Sequence, residues 1–211
     1  MLLNRKRLHI FHQYDVSPAN ADEVAALAGD STLATRMGCE DWAVHRSRDG
    51  KRVVRVEAWS GDWRAAMISE PDHAAAMATR TERHAYRWKA TGGVVPTPVD
   101  DLAAGVIVID IVPVPRLVLT PVTAFTISNG KKFNREPGCI STTVLKGVGV
   151  GRIATYARWR TEKDFANAFQ ATTGKPACNA DDINAAAAKM TFGVIRPDYH
   201  IYDLVANSRT R

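Results

Sequence analysis

The polar and apolar positions of this chain fall into two rhythms. A period of two runs through Cys39–Arg46, Arg52–Trp59 and Glu82–Trp88, and again through Cys139–Lys146, Arg152–Trp159 and His200–Val205. Each run predicts a strand, as does Leu8–Tyr14, which is rich in His and aromatic residues. Gly105–Val112 is almost wholly apolar and predicts a strand too, with Asp110 cutting the run Val106-Ile107-Val108-Ile109. Helical spacing fills the intervals. Asn20–Arg36 places Val24, Leu27, Ser31 and Ala34 on one stripe, Ser60 caps a helix to about Ser69, and Pro71 starts a further piece over Asp72–Thr81. Thr120-Pro121 opens a helix with Phe125, Asn129 and Phe133 on one face. Thr161-Glu162-Lys163-Asp164 resembles a capping box with Asp for Glu, and its helix buries Phe165 and Phe169; Asp181–Met190 is helical as well. Arg48-Asp49-Gly50 and Gly147–Gly151 join neighbouring strands. The second is glycine-rich, but a strand follows it, whereas a phosphate loop needs a helix.

The two series resemble one another. Gly38-Cys39, Val44 and Trp59 recur as Gly138-Cys139, Val144 and Trp159, each shifted by one hundred positions. His84-Ala85-Tyr86 recurs as His200-Ile201-Tyr202, shifted by 116, so the second copy carries about sixteen more residues after its Trp. The order βαββαβ occurring twice predicts an α+β fold of two ferredoxin-like units, 1–89 and 105–211, joined by a linker over 90–104 (ATGGVVPTPVD at its start). Each unit would hold a four-stranded antiparallel sheet with helices on one face. The bare sheet faces would cover each other, making an intramolecular pseudo-dimer, a dimeric α+β barrel within one chain.

Composition narrows the partners. A hydrophobic share of 45% and a charged share of 24% fit a globular chain rather than a disordered one. The net charge is +6, but residues 1–100 carry 14 Lys/Arg against 13 Asp/Glu and residues 101–211 carry 14 against 9, so the excess is thinly spread. Tight basic clusters are few and short, Arg5-Lys6-Arg7 and Lys131-Lys132 among them, which argues against a nucleic-acid partner and leaves a mild positive field that suits an anionic small molecule. No apolar run approaches the ~20 residues that span a bilayer, so no membrane partner is expected. Cys39, Cys139 and Cys178 lack CxxC spacing, which speaks against a disulfide framework or a structural zinc site, and with no secretory pattern at the start the expected location is the cytoplasm. No HxH or HExxH occurs, and His9 and His12 fall on opposite strand faces, so no protein-held metal is expected.

Pro137-Gly138-Cys139, the strand–Gly–strand hairpin and the run Ala157-Arg158-Trp159-Arg160-Thr161-Glu162-Lys163-Asp164-Phe165 together resemble the antibiotic biosynthesis monooxygenase superfamily. The first copy shows the more degenerate Glu57-Ala58-Trp59-Ser60-Gly61-Asp62-Trp63, then Glu70-Pro71-Asp72-His73. The resemblance spans about residues 7–88 and 105–205. Its motifs are specific for the fold and weakly specific for the reaction. It implies an enzyme, a cofactor-independent monooxygenase that oxidises a phenolic or anthrone-like aromatic polyketide with O2, as in antibiotic or pigment biosynthesis. No bound cofactor is implied, although diffusible reduced flavin serves some relatives as a cosubstrate. Alternatives are a non-oxidative cyclase or isomerase, a flavin-assisted ring-modifying oxygenase, and a non-catalytic ligand-binding protein; haem capture through His73 is more distant. A monomer with an internal pseudo-dimer or a homodimer is expected.

The same resemblance places Trp59 and Trp159 against the pocket between sheet and helices. The superfamily's anthrone oxygenases have Asn four residues before that Trp and Tyr six after; here those positions hold Arg55 and Thr155, then Ala65 and Phe165. Strand alternation puts Arg55, Glu57 and Trp59 on one face, and Ile153, Thr155, Ala157 and Trp159 on its counterpart. The first pocket would be charged and the second apolar, with Phe165 and Phe169 as walls for a flat substrate. The competing reading is that both Trp residues are core and that Arg55–Glu57 is an exposed pair. For proton transfer the candidates are His73, at the helical break, and His84 and His200; an ordinary His titrates at ~6.5. Tyr86 and Tyr202, each two residues after a His, would partner a phenolate. A solvated helix-start His and aromatic packing are the competing readings.

Overall fold

The computed structural model of the protein describes residues 7–29, 39–59, 82–93, 105–174, 180–190 and 197–208, with side chains in 82–93 only at Trp88 and Ala90. The expected helices over 60–69 and 72–81, with Ala65 and His73, lie outside the described residues, as do Cys178 and positions 94–104. The element order is β1 (Leu8–Asp15), α1 (Ala21–Gly29), β2 (Cys39–Ser47), β3 (Arg52–Trp59), β4 (Glu82–Gly93), β5 (Val106–Pro113), α2 (Leu119–Phe133), β6 (Cys139–Gly147), β7 (Arg152–Trp159), α3 (Glu162–Thr173), α4 (Ala180–Met190) and β8 (Tyr199–Asn207). This is an α+β fold with antiparallel pairing. β4 runs on to Gly93, so strand occupies the start of the expected linker despite its Thr-Gly-Gly composition. Composition reports how freely a backbone can turn, and a ladder can still hold it extended.

The chain forms two compact units, Met1–Lys89 with Tyr202–Arg211, and Ala90–Ile201. The last stretch of β8 therefore belongs with the first unit, not with 105–211 as the repeat predicted. In the first unit the strand order is β4-β1-β3-β2, with Tyr202–Asn207 of β8 beside β2. The ladder aligns Leu8 with Trp59, Ile10 with Glu57 and His12 with Arg55. α1 covers this face: its Val24, Ala25 and Ala28 pack with Ile10, Tyr14, Trp42, Val44, Val53 and Trp59. Full burial of each large side chain here contributes roughly 1.5–3 kcal/mol.

The second unit repeats the ladder. Val106 faces Trp159, Val108 faces Ala157 and Asp110 faces Thr155. Its hairpin matches the first in detail. Cys39 opposes Trp59 and the register then slips, so that Asp41 opposes Ala58; Cys139 opposes Trp159 and the register slips again, so that Ser141 opposes Arg158. Each slip is a bulge that bends the strand at the residue following the Gly-Cys pair.

The paired motifs of the second unit form one joint. Gly138 takes φ 81°, and a side chain there would collide with Asp164, so the position needs glycine both for its backbone and for the approach. Its carbonyl accepts from the Arg160 amide at 2.9 Å. Thr161 then caps α3: its Oγ1 accepts from the Asp164 amide at 3.1 Å, and its hydroxyl donates to the Asp164 carboxylate at 2.7 Å. The Asp side chain is one carbon shorter than that of Glu and engages the cap hydroxyl, where a capping-box Glu would reach the cap's backbone N–H.

Candidate functional site

The helix-covered face of the first unit is closed by charge. Arg55 and Glu57 are 1% and 4% exposed, which excludes the surface-pair reading. Arg55 Nε donates to Glu57 Oε1 at 2.7 Å, Trp59 Nε1 donates to Glu57 Oε2 at 2.9 Å, and His12 Nε2 lies 3.3 Å from the same oxygen. Arg55 also donates to the Ala28 carbonyl of α1 at 2.5 Å, and its guanidinium carbon stands 5.2 Å from the Trp42 ring centroid, within cation–π range. Burial alone would raise the Glu57 carboxyl. The charge and hydrogen bond of His12, then Arg55 and Trp59, outweigh it and lower the group to about 2. Four buried side chains on this face are thus tied to one another.

The equivalent face of the second unit is open. Thr155 and Ala157 stand where Arg55 and Glu57 stand in the first, and a cleft lies in this unit between the sheet and the helices. Phe125, Asn129 and Phe133, the three residues predicted on one face of α2, line it. Phe169 of α3, Val112 of β5, Ile153 of β7 and Tyr199 of β8 complete most of the wall. The hydroxyls of Thr126, Thr172 and Thr173 donate to carbonyls one turn back in their own helices. That leaves Asp110, Tyr199 and Asn129 to supply the polarity of the lining.

Trp159 and Phe165 support this wall from behind. Phe133 meets Trp159 edge-on at 6.1 Å, Trp159 meets Phe165 at 5.6 Å, and Phe165 meets Phe169 at 6.2 Å. Trp159 is fully buried, and its Nε1 has no hydrogen-bond partner among the described residues. Trp59 has Glu57 for that purpose; the matching residue in the second unit is Ala157. Of the proposed wall residues, then, Phe169 lines the cleft, Trp159 and Phe165 back it, and Thr155 is half-buried opposite Asp110 on the same sheet face.

At the polar end, Asp110 occupies the ladder position that His12 holds in the first unit. Its Oδ1 accepts from the Asp198 amide at 2.8 Å, and the Tyr199 hydroxyl bonds to its carboxylate. Burial pushes Asp110 up to about 7; the Asp198 amide pulls against this, the Asp198 charge adds to it, and the His200 charge and the Tyr199 hydroxyl pull back. The Tyr199 phenol is raised from its ordinary value, first by burial and then by the Asp110 charge and hydrogen bond. Asn184 of α4 fixes the Tyr199 backbone, accepting from its amide at 2.7 Å and donating to its carbonyl at 3.2 Å. Asp110 and Tyr199 line the cleft but are not among the residues the sequence pattern singles out. The available signal was an acid in the middle of an apolar strand run, read only as an interruption.

The structure separates the other candidates. His200 belongs to the second unit and lies 3.2 Å from Asp198 Oδ1. Tyr202, two residues on, belongs to the first unit, buried with its ring 6.5 Å from that of His45. The backbones of His84 and Tyr86 pair with Gln13 and Phe11 in the β1–β4 ladder. His73 lies outside the described residues. Cys39 and Cys139 are free thiols; burial first of all raises both, Cys39 to about 12. Among the described residues no helix is long and apolar enough to cross a membrane.

No sequence model of a known family matches the chain, and no curated protein matches it by sequence. Solved structures do. An anthrone oxidase-like protein superposes with a TM-score of 0.72 at 14% identity, over 98% of this chain and 94% of its own. A proposed monooxygenase from Fusobacterium nucleatum gives 0.63 at 8% identity, over 97% and 95%. A ferredoxin fold protein from Listeria monocytogenes, related to antibiotic biosynthesis monooxygenases, gives 0.52 at 11% identity, over 94% and 95%. At such identities the shared property is the fold, and the chain has the fold of the antibiotic biosynthesis monooxygenases and their relatives.

Proposed function

We propose that the chain is a tandem duplication of one ferredoxin-like unit, arranged as an internal pseudo-dimer, and that it is a cytoplasmic tailoring oxygenase for a phenolic or anthrone-like polycyclic substrate. The observation that carries the catalytic reading is the cleft of the second unit. Its walls are mostly aromatic and aliphatic, and its polar lining includes Asp110 and Tyr199, hydrogen-bonded to each other. The likeness in fold to an anthrone oxidase-like protein supports the same substrate class.

The chemistry needs no bound cofactor, because the substrate supplies the electrons. A base at the polar end takes a proton from an activated C–H or phenol. The carbanion or phenolate passes one electron to O2, the resulting radical pair combines to a peroxide anion, and the proton returns to give a hydroperoxide. Loss of water leaves a carbonyl, so CH2 plus O2 becomes C=O plus H2O. The protein orients the ring, holds the proton and keeps bulk water away from the anion. The test is oxygen uptake by purified, chelator-treated protein with a panel of anthrones and naphthols, each with and without reduced flavin, after subtraction of autoxidation. Protein-dependent uptake matched by quinone formation is expected without flavin. Uptake only with flavin moves the reaction to the cosubstrate form.

One observation favours a second reading. A buried carboxyl near neutral pH also suits a non-oxidative cyclase or isomerase. Turnover of a polyketide substrate with no oxygen consumed would establish that reading in place of the first.

A further inference from the structure

We infer that Asp110 is the general base of the cleft and that the hydroxyl of Tyr199, a residue whose backbone Asn184 holds, is the group that positions its carboxylate. The inference rests on reading the cleft as the substrate site, and it names the substrate class by acidity: a flat carbon acid or phenol whose acidic proton reaches Asp110.

Three observations converge. Asp110 lines the cleft, so its carboxyl can touch a bound ring. Two donors, the Asp198 amide at 2.8 Å and the Tyr199 hydroxyl, fix its orientation. The corresponding His12 of the first unit is committed to Glu57 and sealed in, whereas no side chain takes the place of that partner at Ala157. The ionisable groups around Asp110 among the described residues are Tyr199, Asp198 and His200 on β8 and its approach. Those brought near by α2, α3 and β7 are the uncharged Thr126, Asn129, Thr172 and Thr155. In such a setting a raised carboxyl accepts protons across neutral pH and gives them back within one turnover.

The step is a proton transfer and is complete in itself. The carboxylate takes H+ from carbon, the electron pair stays on the ring, and the proton either returns to carbon or goes on to the peroxide. It is measurable without oxygen. Under anaerobic conditions in D2O, NMR follows exchange of the anthrone methylene protons. The wild type should accelerate exchange over buffer, with a rate rising through about pH 7 as Asp110 loses its proton. Asp110→Asn should lower the protein-dependent rate by about a hundredfold or more. It should still bind 9,10-anthraquinone, which has no acidic proton, as read by quenching of tryptophan emission. Tyr199→Phe should move the midpoint of the pH profile upward, because the lost hydroxyl bond favoured the carboxylate.

Asp110→Asn exchanging at the wild-type rate, or wild type that binds anthrone and does not exchange it, overturns the base. An unmoved midpoint in Tyr199→Phe overturns the positioning role, and that variant also reports on Asp110 should the Asn variant fold poorly. Exchange without oxygen uptake leaves the base standing and overturns the oxygenase reading. Oxygen uptake undiminished in Asp110→Asn does the reverse.

Discussion

The two units put the same backbone to opposite uses. Both set a Trp at the end of the third strand opposite a Cys, both bulge after that Cys, and both hold an ionisable residue at the same rung of the first strand. Two alternate positions on the third strand differ in kind. Where the first unit has Arg55 and Glu57, a closed network of buried charge fills the helix-covered face; where the second has Thr155 and Ala157, a cleft opens and a carboxyl is left facing it. The same ladder thus carries a buried ionic cluster in one unit and a lined cleft in the other.

The largest break in this comparison is Glu57→Ala. It leaves Arg55 and His12 buried without their carboxylate, and denaturant titration should record a loss of about 3–5 kcal/mol. A loss under about 1 kcal/mol, the value of an exposed pair, would place Glu57 in solvent. Next comes the pair Trp59→Phe and Trp159→Phe. Both lose similar aromatic area, but only the first removes a hydrogen bond to a charged acceptor, so it should cost about 1.5–3 kcal/mol more. Equal costs would show that Trp159 has an equivalent partner.

The pH dependence of stability should separate the units by sign. Glu57 is lowered to about 2, so its contribution is complete above its unfolded value of 4.5 and is lost as pH falls through about 2. Asp110 is raised to about 7, so its protonated form favours the fold below its unfolded value of 3.8, and this is lost as pH rises through about 7. Urea melts across pH should show a rise between about 2 and 4.5 that Glu57→Gln removes, and a decline between about 4 and 7 that Asp110→Asn removes. The smallest effect is local to the second unit. Thr161→Ala removes the α3 cap and should cost about 1 kcal/mol in the same melts.

Much of this was legible in one dimension. Period-two alternation put Arg55, Glu57 and Trp59 on one face, and the spacing of Phe125, Asn129 and Phe133 marked the face of α2 that meets the cleft. Alternation fixes a face but not what covers it. That Arg55 is sealed follows from the Ala28 carbonyl of α1, which no strand pattern encodes. The same limit hid the difference between lining a pocket and backing it: Trp159 shares a face with Asp110, yet Phe133 stands in front of it. Asp110 itself was the clearest local conflict in the sequence, a charge in a strand otherwise suited to burial. Such conflicts are where a functional group is most economically sought.

One strand also sets the order in which the molecule can be completed. Along the edge of β2, Ala43 to Ser47 pair with Asn207 to Tyr202, and Arg48 and Trp42 reach Asp203 and Ser208. Those partners leave the ribosome some 160 residues after β2 does. Throughout that interval the first unit presents an unpaired edge, the kind of surface on which foreign strands add. A chain cut before Tyr202 would leave β2 without this neighbour.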